Sequence, residues 1–426
     1  MNAKIESETK DELTLKVTIS RKGTMLEREA AIRSALNQAG SMATGRALAD
    51  FDTDGRPLQM GDMRWYSKGK TPEVYQTPYG PAEVERHTYQ TSKGGRGYCP
   101  MEQAARIVLT ATPTFAKLLS HKYAEMGSTA VVRDLTLNHD RTIATSFLQK
   151  VVDAVATMAQ LKEETWEYAP PELTETVKTL SVGLDGTMLL MVDGSYREVM
   201  VGTLACYNRE GERLFTQYTA APPEYGRATF LERLERDVNQ LSAQFPKATK
   251  VGVADGAPGN WTFLEQHTTG QVVDFYHAAE YLGGASEAHF GKNVKGRNDW
   301  LDDACHRLKH NHGAAAELTG ELQKWAEGLD AKEDEEEPRV AGARFFKNQQ
   351  HRMDYAAYRK KGWPIGSGVT EAACKTIVKT RMRGSGMKFK ERGAGVILTL
   401  RTLLYSTDRW AQFWSKVDQF GFEYEA

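Results

Sequence analysis

Two short stretches decide the fold: TLSVGLDG at residues 179–186 and KVGVADG at residues 250–256. Each is a short run of apolar, small or β-favouring residues that ends in an Asp-Gly pair, Asp185-Gly186 in the first and Asp255-Gly256 in the second. Such runs are typical of buried strands, and Asp-Gly pairs favour the turns that follow strands. We therefore predict two core strands, each ending beside a carboxylate.

The segments around these stretches give the order of the elements. Strands are predicted at residues 179–184, 198–207, 213–219, 250–254 and 271–275, and helices at 227–244, from Pro258 onward and after residue 275. This β-β-β-α-β-α-β-α order predicts an α/β fold with a ribonuclease H-like core, a mixed sheet flanked by helices. In that topology the first strand lies centrally beside the fourth, which brings Asp185 and Asp255 to adjacent strand ends.

Changes in periodicity divide the rest of the chain. The predicted regions are an N-terminal α+β region at residues 1–100 with a hairpin around Tyr79-Gly80-Pro81, a helical, helix-turn-helix-like DNA-binding region at 101–166, the catalytic core at 178–275 and 361–416, and a helical insertion at 276–360. The insertion is predicted because residues 276–360 are highly charged with apolar residues at helical spacing. Residues 1–100 are interpreted only as a candidate for binding DNA ends.

Residues 130–152 predict two helices separated by a turn at Leu137-Asn138-His139. One face of the second helix is apolar, and the opposite face is polar and basic. Side chains of that kind can reach base edges and phosphates from a major groove. The predicted DNA contacts are Arg141, Thr145, Gln149 and Lys150. Two-helix turns are also common in all-α cores, and this alternative remains open.

Charge is unevenly distributed, although the net charge is only −1. Residues 339–410 contain 16 Lys/Arg against four acidic residues, a surplus of 12 positive charges. A surplus of that size would attract a phosphate backbone, and the alternative is a solvated basic helix face.

Glu371 is the only carboxylate between Tyr355 and Lys390, a segment with nine Lys/Arg. The alternative is that Glu371 has only a structural role, as a glutamate in the first turn of a helix that the helix dipole stabilises. Three acids that converge could hold two Mg²⁺ or Mn²⁺ ions, which activate the attacking oxygen and stabilise the leaving oxygen of a phosphodiester. Lys375, Lys379 and Arg383 follow Glu371 at i+4 spacing, and with Arg381 they are predicted to contact DNA.

The remaining composition excludes several classes of protein. The four cysteines, Cys99, Cys206, Cys305 and Cys374, form no CxxC pair that could begin a zinc ribbon. Cys374 rather than Gly precedes Lys375-Thr376, so the segment is not a P-loop and no nucleotide cofactor is expected. The polar amino terminus and the absence of long apolar runs predict a cytoplasmic, nucleoid-associated protein without membrane contact.

From Asp185 to Trp414 the sequence resembles the DDE transposases of bacterial insertion sequences, within the ISKra-type group related to mutator-like transposases. The most specific similarity is GWPIGSGVTEAACK at residues 362–375, followed by RGSGM at 383–387 and the aromatic pair Phe413-Trp414. Asp274-Phe275-Tyr276-His277 is similar to the D-x-x-H element that mutator-like enzymes carry after the second acid.

The resemblance implies a catalytic triad of Asp185, Asp255 and Glu371 with two Mg²⁺ or Mn²⁺ ions, and a contact from His277 to the scissile phosphate. It also implies strand cleavage and transfer at the inverted-repeat ends of an insertion sequence, with terminal and target DNA as partners and a homo-oligomer assembled on DNA. Two alternatives remain: a ribonuclease H-like nuclease or resolvase without strand transfer, and a domesticated DNA-binding protein that has lost catalysis.

Overall fold

The structure, a computed structural model, describes residues 3–329 and 337–421 and divides the chain into two compact units. Unit 1 comprises Met1–Tyr168 with Trp410–Ala426, and unit 2 comprises Ala169–Arg409. Residues 330–336 of the predicted insertion lie outside the described residues. None of the described helices combines the length and the apolar character that a membrane span requires.

Unit 1 contains two antiparallel sheets and a group of helices. Its elements are β1 (Ala3–Glu8), β2 (Leu13–Val17), α1 (Met25–Ala49), β3 (Leu58–Met60), β4 (Met63–Gln76), β5 (Pro81–Thr91), β6 (Gly94–Tyr98), α2 (Pro100–Ala104), α3 (Pro113–Glu125), α4 (Ser128–His139) and α5 (Thr145–Leu161). Strands β3 to β6 form a four-stranded sheet in sequence order. The hairpin predicted around Tyr79-Gly80-Pro81 is confirmed, because β4 and β5 pair antiparallel up to Gln76 and Pro81.

The predicted two-helix segment is present as α4 and α5, but its turn lies later than predicted. Helix α4 continues through His139 and ends at Asp140, whose φ of 53° is left-handed. Asp adopts this conformation more readily than most residues, so it can end a helix where Gly is absent. The turn therefore spans residues 140–144 rather than 137–139.

Unit 2 is built on a five-stranded mixed sheet. Its strands are β7 (Thr179–Leu190), β8 (Tyr196–Tyr207), β9 (Arg213–Ala220), β10 (Thr249–Ala254) and β11 (Gly270–Val273), in the order β11-β10-β7-β8-β9. The first three strands pair antiparallel, and β10 lies parallel to both β7 and β11. The predicted position of the first strand beside the fourth is confirmed, and the order is compatible with a ribonuclease H-like sheet.

Helices cover the sheet. In unit 2 they are α6 (Ala228–Gln244), α7 (Pro258–His267), α8 (Phe275–Phe290), α9 (Val294–His310), α10 (Ala314–Ala326), α11 (Pro338–Gln349), α12 (Tyr355–Lys360), α13 (Gly368–Ala373), α14 (Thr380–Met382) and α15 (Glu391–Tyr405); α16 (Arg409–Phe420) follows. The apolar stripe of α6, which includes Phe230, Leu234 and Val238, is buried in one core with Val182 and Leu184 of β7. Burial of each such side chain stabilises the fold by about 1.5–3 kcal/mol.

Two predicted boundaries are wrong. The first strand does not end at Asp185-Gly186, because β7 continues to Leu190 in an unbroken antiparallel ladder with β8. The last core strand ends at Val273 rather than residue 275, because Asp274 caps helix α8 by accepting a hydrogen bond from the His277 N–H. A capping Asp stops a strand that apolar pattern alone would extend.

Candidate active site

Asp185 and Asp255 lie side by side because of the register of the central strands. Strand β10 pairs with β7 in parallel, and Val253 is opposite Gly183. Asp185 and Asp255 each lie two residues beyond this last ladder pair, and the charge of Asp255 acts on the Asp185 carboxyl. Neighbouring strands are about 4.8 Å apart, so the ladder brings the two acids near each other although Asp255 itself lies just beyond β10. We call Asp185 and Asp255 the strand pair.

Asn260 links strand β7 to the residue that follows strand β10. Its side-chain amide donates to the Leu184 carbonyl at 3.3 Å and to Asp255 Oδ1 at 3.4 Å, and Asn260 is itself buried. The Ala257 N–H also donates to Asp255 Oδ1, at 3.0 Å. Asp255 is thus oriented by helix α7, which Pro258 opens.

The surroundings of Asp185 disfavour its negative charge. Burial is the largest cause that raises the pKa of this carboxyl, and the neighbouring charge of Asp255 raises it further. Hydrogen bonds from the Gly186 N–H and the Cys374 thiol, together with the charge of Lys379, act in the opposite direction. A divalent cation between two such carboxylates would remove this penalty.

Helix α13 brings Glu371 to the same end of the sheet. The approach is close, because a Cβ atom at Gly183 would lie 2.2 Å from Thr370 Oγ1 and 2.9 Å from Thr203 Oγ1. Those two hydroxyls share a hydrogen bond of 2.7 Å across Gly183. A glycine in the middle of β7 therefore lets the Glu371 helix rest directly on the sheet.

Glu371 also belongs to a second group of side chains that could bind a metal ion. Asp274 is 0% exposed, accepts hydrogen bonds from the Ser367 N–H and from the His277 N–H at 2.9 Å, and Ser367 Oγ donates to Glu371 Oε1 at 2.7 Å. Ligand atoms of Asp274, His277 and Glu371 all lie within 4.8 Å of one another. We call these three residues the loop cluster.

The loop cluster fits a divalent metal ion by its donor set, two carboxylates and one imidazole. The His277 Nδ1 atom is buried 3.5 Å from Asp274 Oδ1, and it has no hydrogen-bond partner among the described residues. Glu371 is exposed, so a metal ion from solvent can reach its carboxylate. Hard cations prefer carboxylate oxygens, which both groups supply.

Asp185 and Glu371 open into one cleft of about 710 Å³. Its lining residues are Asp185, Gly368, Glu371, Ala372, Lys375, Lys379 and Thr380. We call it the acid cleft. Two of the predicted DNA contacts, Lys375 and Lys379, therefore lie beside two of the predicted catalytic acids.

The other predicted contacts around Glu371 differ in their exposure. Arg383 is exposed at the end of α14, whereas Arg381 is only 5% exposed. Burial of Arg381 argues against its predicted DNA contact, because helix α14 turns that side chain toward the interior of unit 2.

In unit 1 the predicted contacts also separate into two kinds. Thr145, Gln149 and Lys150 are exposed on α5. Arg141 is 4% exposed, donates to the Thr77 carbonyl at 3.0 Å and to Gln76 Oε1 at 2.8 Å, and lies over the Phe115 ring. Its guanidinium holds the β4–β5 turn, so its burial argues against the predicted base contact.

The sequence prediction named neither Asp274 nor Ser367 as a site residue, although it quoted the motifs that contain both. Asp274 had a local signal, because an Asp followed by a helical pattern indicates an N-cap. The hydrogen bond from the Ser367 N–H to Asp274 had no local sequence signal, since the two residues are far apart in sequence. Asn260 was missed for a related reason: its two partners, Leu184 and Asp255, are far apart in sequence.

Comparison with known proteins finds no sequence match and a low structural similarity. No family model and no curated protein sequence match the chain. Among solved structures, the chain is similar to the Drosophila P element transposase strand transfer complex with a TM-score of 0.27 and 9% sequence identity, over 72% of this chain and 81% of that one.

Proposed function

We propose that this protein is a DDE transposase that cuts DNA at the inverted-repeat ends of an insertion sequence and joins the freed strands to target DNA. One observation carries the proposal: Asp185, whose carboxyl is under the influence of Asp255, lines one cleft together with Glu371, Lys375 and Lys379. Three acids beside two lysines suit a phosphodiester, whose charge needs cations and whose cleavage needs bound metal.

Asp185, Asp255 and Glu371 would hold two Mg²⁺ or Mn²⁺ ions. When bound, these ions would activate the attacking oxygen and stabilise the leaving oxygen. The role of the chain is positional: Asn260 and the backbone orient Asp255, and Ser367 orients Glu371. Lys375 and Lys379 would contact the phosphate backbone beside the acids, and His277 would donate to the scissile phosphate.

For recognition of the DNA ends, we propose the exposed face of α5 with Thr145, Gln149 and Lys150, without Arg141. Arg383 would extend the phosphate contacts of Lys375 and Lys379. Synapsis of two ends would require an oligomer on DNA.

The test uses a supercoiled plasmid that carries both chromosomal flanks of the gene, incubated with Mg²⁺ or Mn²⁺. Asp185→Asn, Asp255→Asn and Glu371→Gln should each lower cleavage by more than about 10³-fold while DNA binding persists, because catalytic groups that act as a unit fail together. The control is Asp193→Asn, since Asp193 lies in the exposed β7–β8 turn and accepts from the Ser195 N–H at 2.9 Å.

The products distinguish the two alternatives, because a domesticated DNA-binding protein would bind the plasmid without cleaving it. A transposase yields joined strands, whereas a ribonuclease H-like nuclease or resolvase of the same site would give cleaved ends without them. Full cleavage by Asp185→Asn and Asp255→Asn would remove the strand pair from catalysis.

A further inference from the structure

The helix that follows Glu371 changes its winding beside the acid cleft. Helix α13 ends at Ala373, residues Cys374–Lys379 form a π-helical turn, and α14 resumes at Thr380. A π-helical turn pairs each carbonyl with the N–H five residues on, is rare, and occurs mostly at functional sites. Where the winding changes, carbonyl groups lack a well-aligned N–H partner unless a donor from elsewhere forms a hydrogen bond with them.

A buried arginine supplies that donor. Arg401 of α15 is 1% exposed, and its Nε donates to the Ile377 carbonyl at 2.9 Å. Its Nη2 donates to the Thr376 carbonyl and, at 3.1 Å, to Thr380 Oγ1. The guanidinium also lies over the Tyr405 ring, 4.9 Å from its centroid. One planar fork thus binds two consecutive carbonyls of the π-helical turn through two different nitrogens, a geometry that the single ammonium nitrogen of a lysine does not reproduce.

The π-helical turn decides which side chains face the acids. The thiol of Cys374, its first residue, lies 3.5 Å from Asp185 Oδ2. Lys375 near its start and Lys379 at its end both line the acid cleft with Asp185 and Glu371. A return to α-helical winding would rotate Lys379 about the helix axis relative to Glu371.

We propose that Arg401 is a positioning residue: by holding the π-helical turn from behind, it directs Lys379 toward the phosphate that the acid cleft binds. This inference rests on the proposed function in one respect, that the ligand of the cleft is DNA. Arg401 itself touches no substrate. Its effect on DNA binding should therefore pass entirely through Lys379.

The experiment measures how the affinity for a random-sequence DNA duplex depends on salt, using the full chain. Lys379→Ala should lower the log–log salt slope by about 0.9, which corresponds to one lost phosphate contact. Arg401→Lys should lower the slope by a similar amount, although the charge of residue 401 is unchanged. The double variant should lose no more slope than either single variant.

Arg409→Lys is the matched control. Arg409 is also buried, at 8% exposed, and it donates to Gln217 Oε1 at 2.7 Å and to Asp237 Oδ1 at 2.8 Å, two residues outside the π-helical turn. It should lower the thermal midpoint and leave the slope unchanged. A general loss of stability would therefore not imitate the effect of Arg401→Lys.

A wild-type slope in folded Arg401→Lys, with a lowered slope in Lys379→Ala, would overturn the inference and leave the proposed function standing. An unchanged slope in Lys379→Ala itself would overturn both the inference and the placement of DNA in the acid cleft. If circular dichroism shows that Arg401→Lys does not fold, Tyr405→Leu replaces it. That variant removes the ring beneath the guanidinium and should lower the slope in part, and an unchanged slope there would equally overturn the inference.

Discussion

The strand pair and the loop cluster are two sets of acidic side chains in unit 2, and different interactions hold each set in place. Asp185 lies on β7 and Asp255 directly follows β10, so the backbone ladder between these two strands brings the two acids near each other. Asp274, His277 and Glu371 are placed by side-chain hydrogen bonds that reach across the chain through Ser367.

This difference predicts which set of residues tolerates substitution. A sheet ladder contains many parallel bonds, so one altered side chain leaves the geometry of the strand pair intact. The loop cluster depends on the buried Asp274, whose carboxylate accepts from two separate segments. We therefore expect substitutions in the strand pair to lower cleavage without a loss of stability, and substitutions in the loop cluster to lower both cleavage and stability.

The largest expected effect on stability is that of Asp274→Asn, at about 3 kcal/mol in the free energy of unfolding. Asparagine keeps one acceptor oxygen, but its amide would face a second N–H donor in a fully buried position, where an unmet group is costly. Urea unfolding measures the loss, and cleavage should fall with it because Ser367 no longer holds Glu371.

The control for this prediction is Asp354→Asn. Asp354 also caps a helix, accepting from the Ala357 N–H at 3.3 Å, but it is exposed, and Asn is an equally good cap. Equal and small losses in both variants would show that the loop is held by something other than Asp274.

The same contrast explains how much could be predicted from the sequence. The strand order, and with it the adjacency of Asp185 and Asp255, follows from local periodicity and turn chemistry, both of which a single sequence displays. Glu371 could be singled out because it is an isolated acid among basic residues. These features depend on neighbours in sequence or on the rules of sheet topology.

The failures have a different physical origin. Arg141 and Arg381 carry the charge expected of DNA contacts, yet packing turns both inward, and only tertiary structure decides the direction of a long side chain. The π-helical turn at Cys374–Lys379 has no composition signal either, since its carbonyl partner is Arg401 on another helix.

A smaller effect should follow from Gly183→Ala, which probes the contact between the sheet and the Glu371 helix. The added methyl would overlap the Thr370 hydroxyl, and overpacking of this kind destabilises by about 1–3 kcal/mol. Thr370→Ala in the same background should restore part of the loss, because it removes the nearest atom.

Gly186→Ala is the matched change in the same strand. There the methyl would meet the side chain of Glu198, which is partly exposed and can move aside. A stability loss as large as that of Gly183→Ala would mean that strand β7 resists any side chain, and that the contact with α13 is not special.

The smallest expected effect on stability is a gain. Because burial and the charge of Asp255 raise the pKa of Asp185 above its ordinary value, the folded state binds this proton more tightly than the unfolded state. At pH values above the folded pKa the residue is ionised in both states, so the free-energy cost of its charge in the folded state is fully present. This cost disappears as pH falls through the folded pKa toward the unfolded one.

Asp185→Asn removes the charge and should therefore stabilise the chain by roughly 1 kcal/mol at neutral pH, as substitutions of functional residues often do. Urea unfolding in the presence of a chelator, at several pH values from neutral down through the titration range of carboxyl groups, measures the difference, which should shrink toward the acidic end. A loss of stability instead, constant across this range, would mean that Asp185 is held by favourable contacts like Asp274, and the distinction between the two groups would fail.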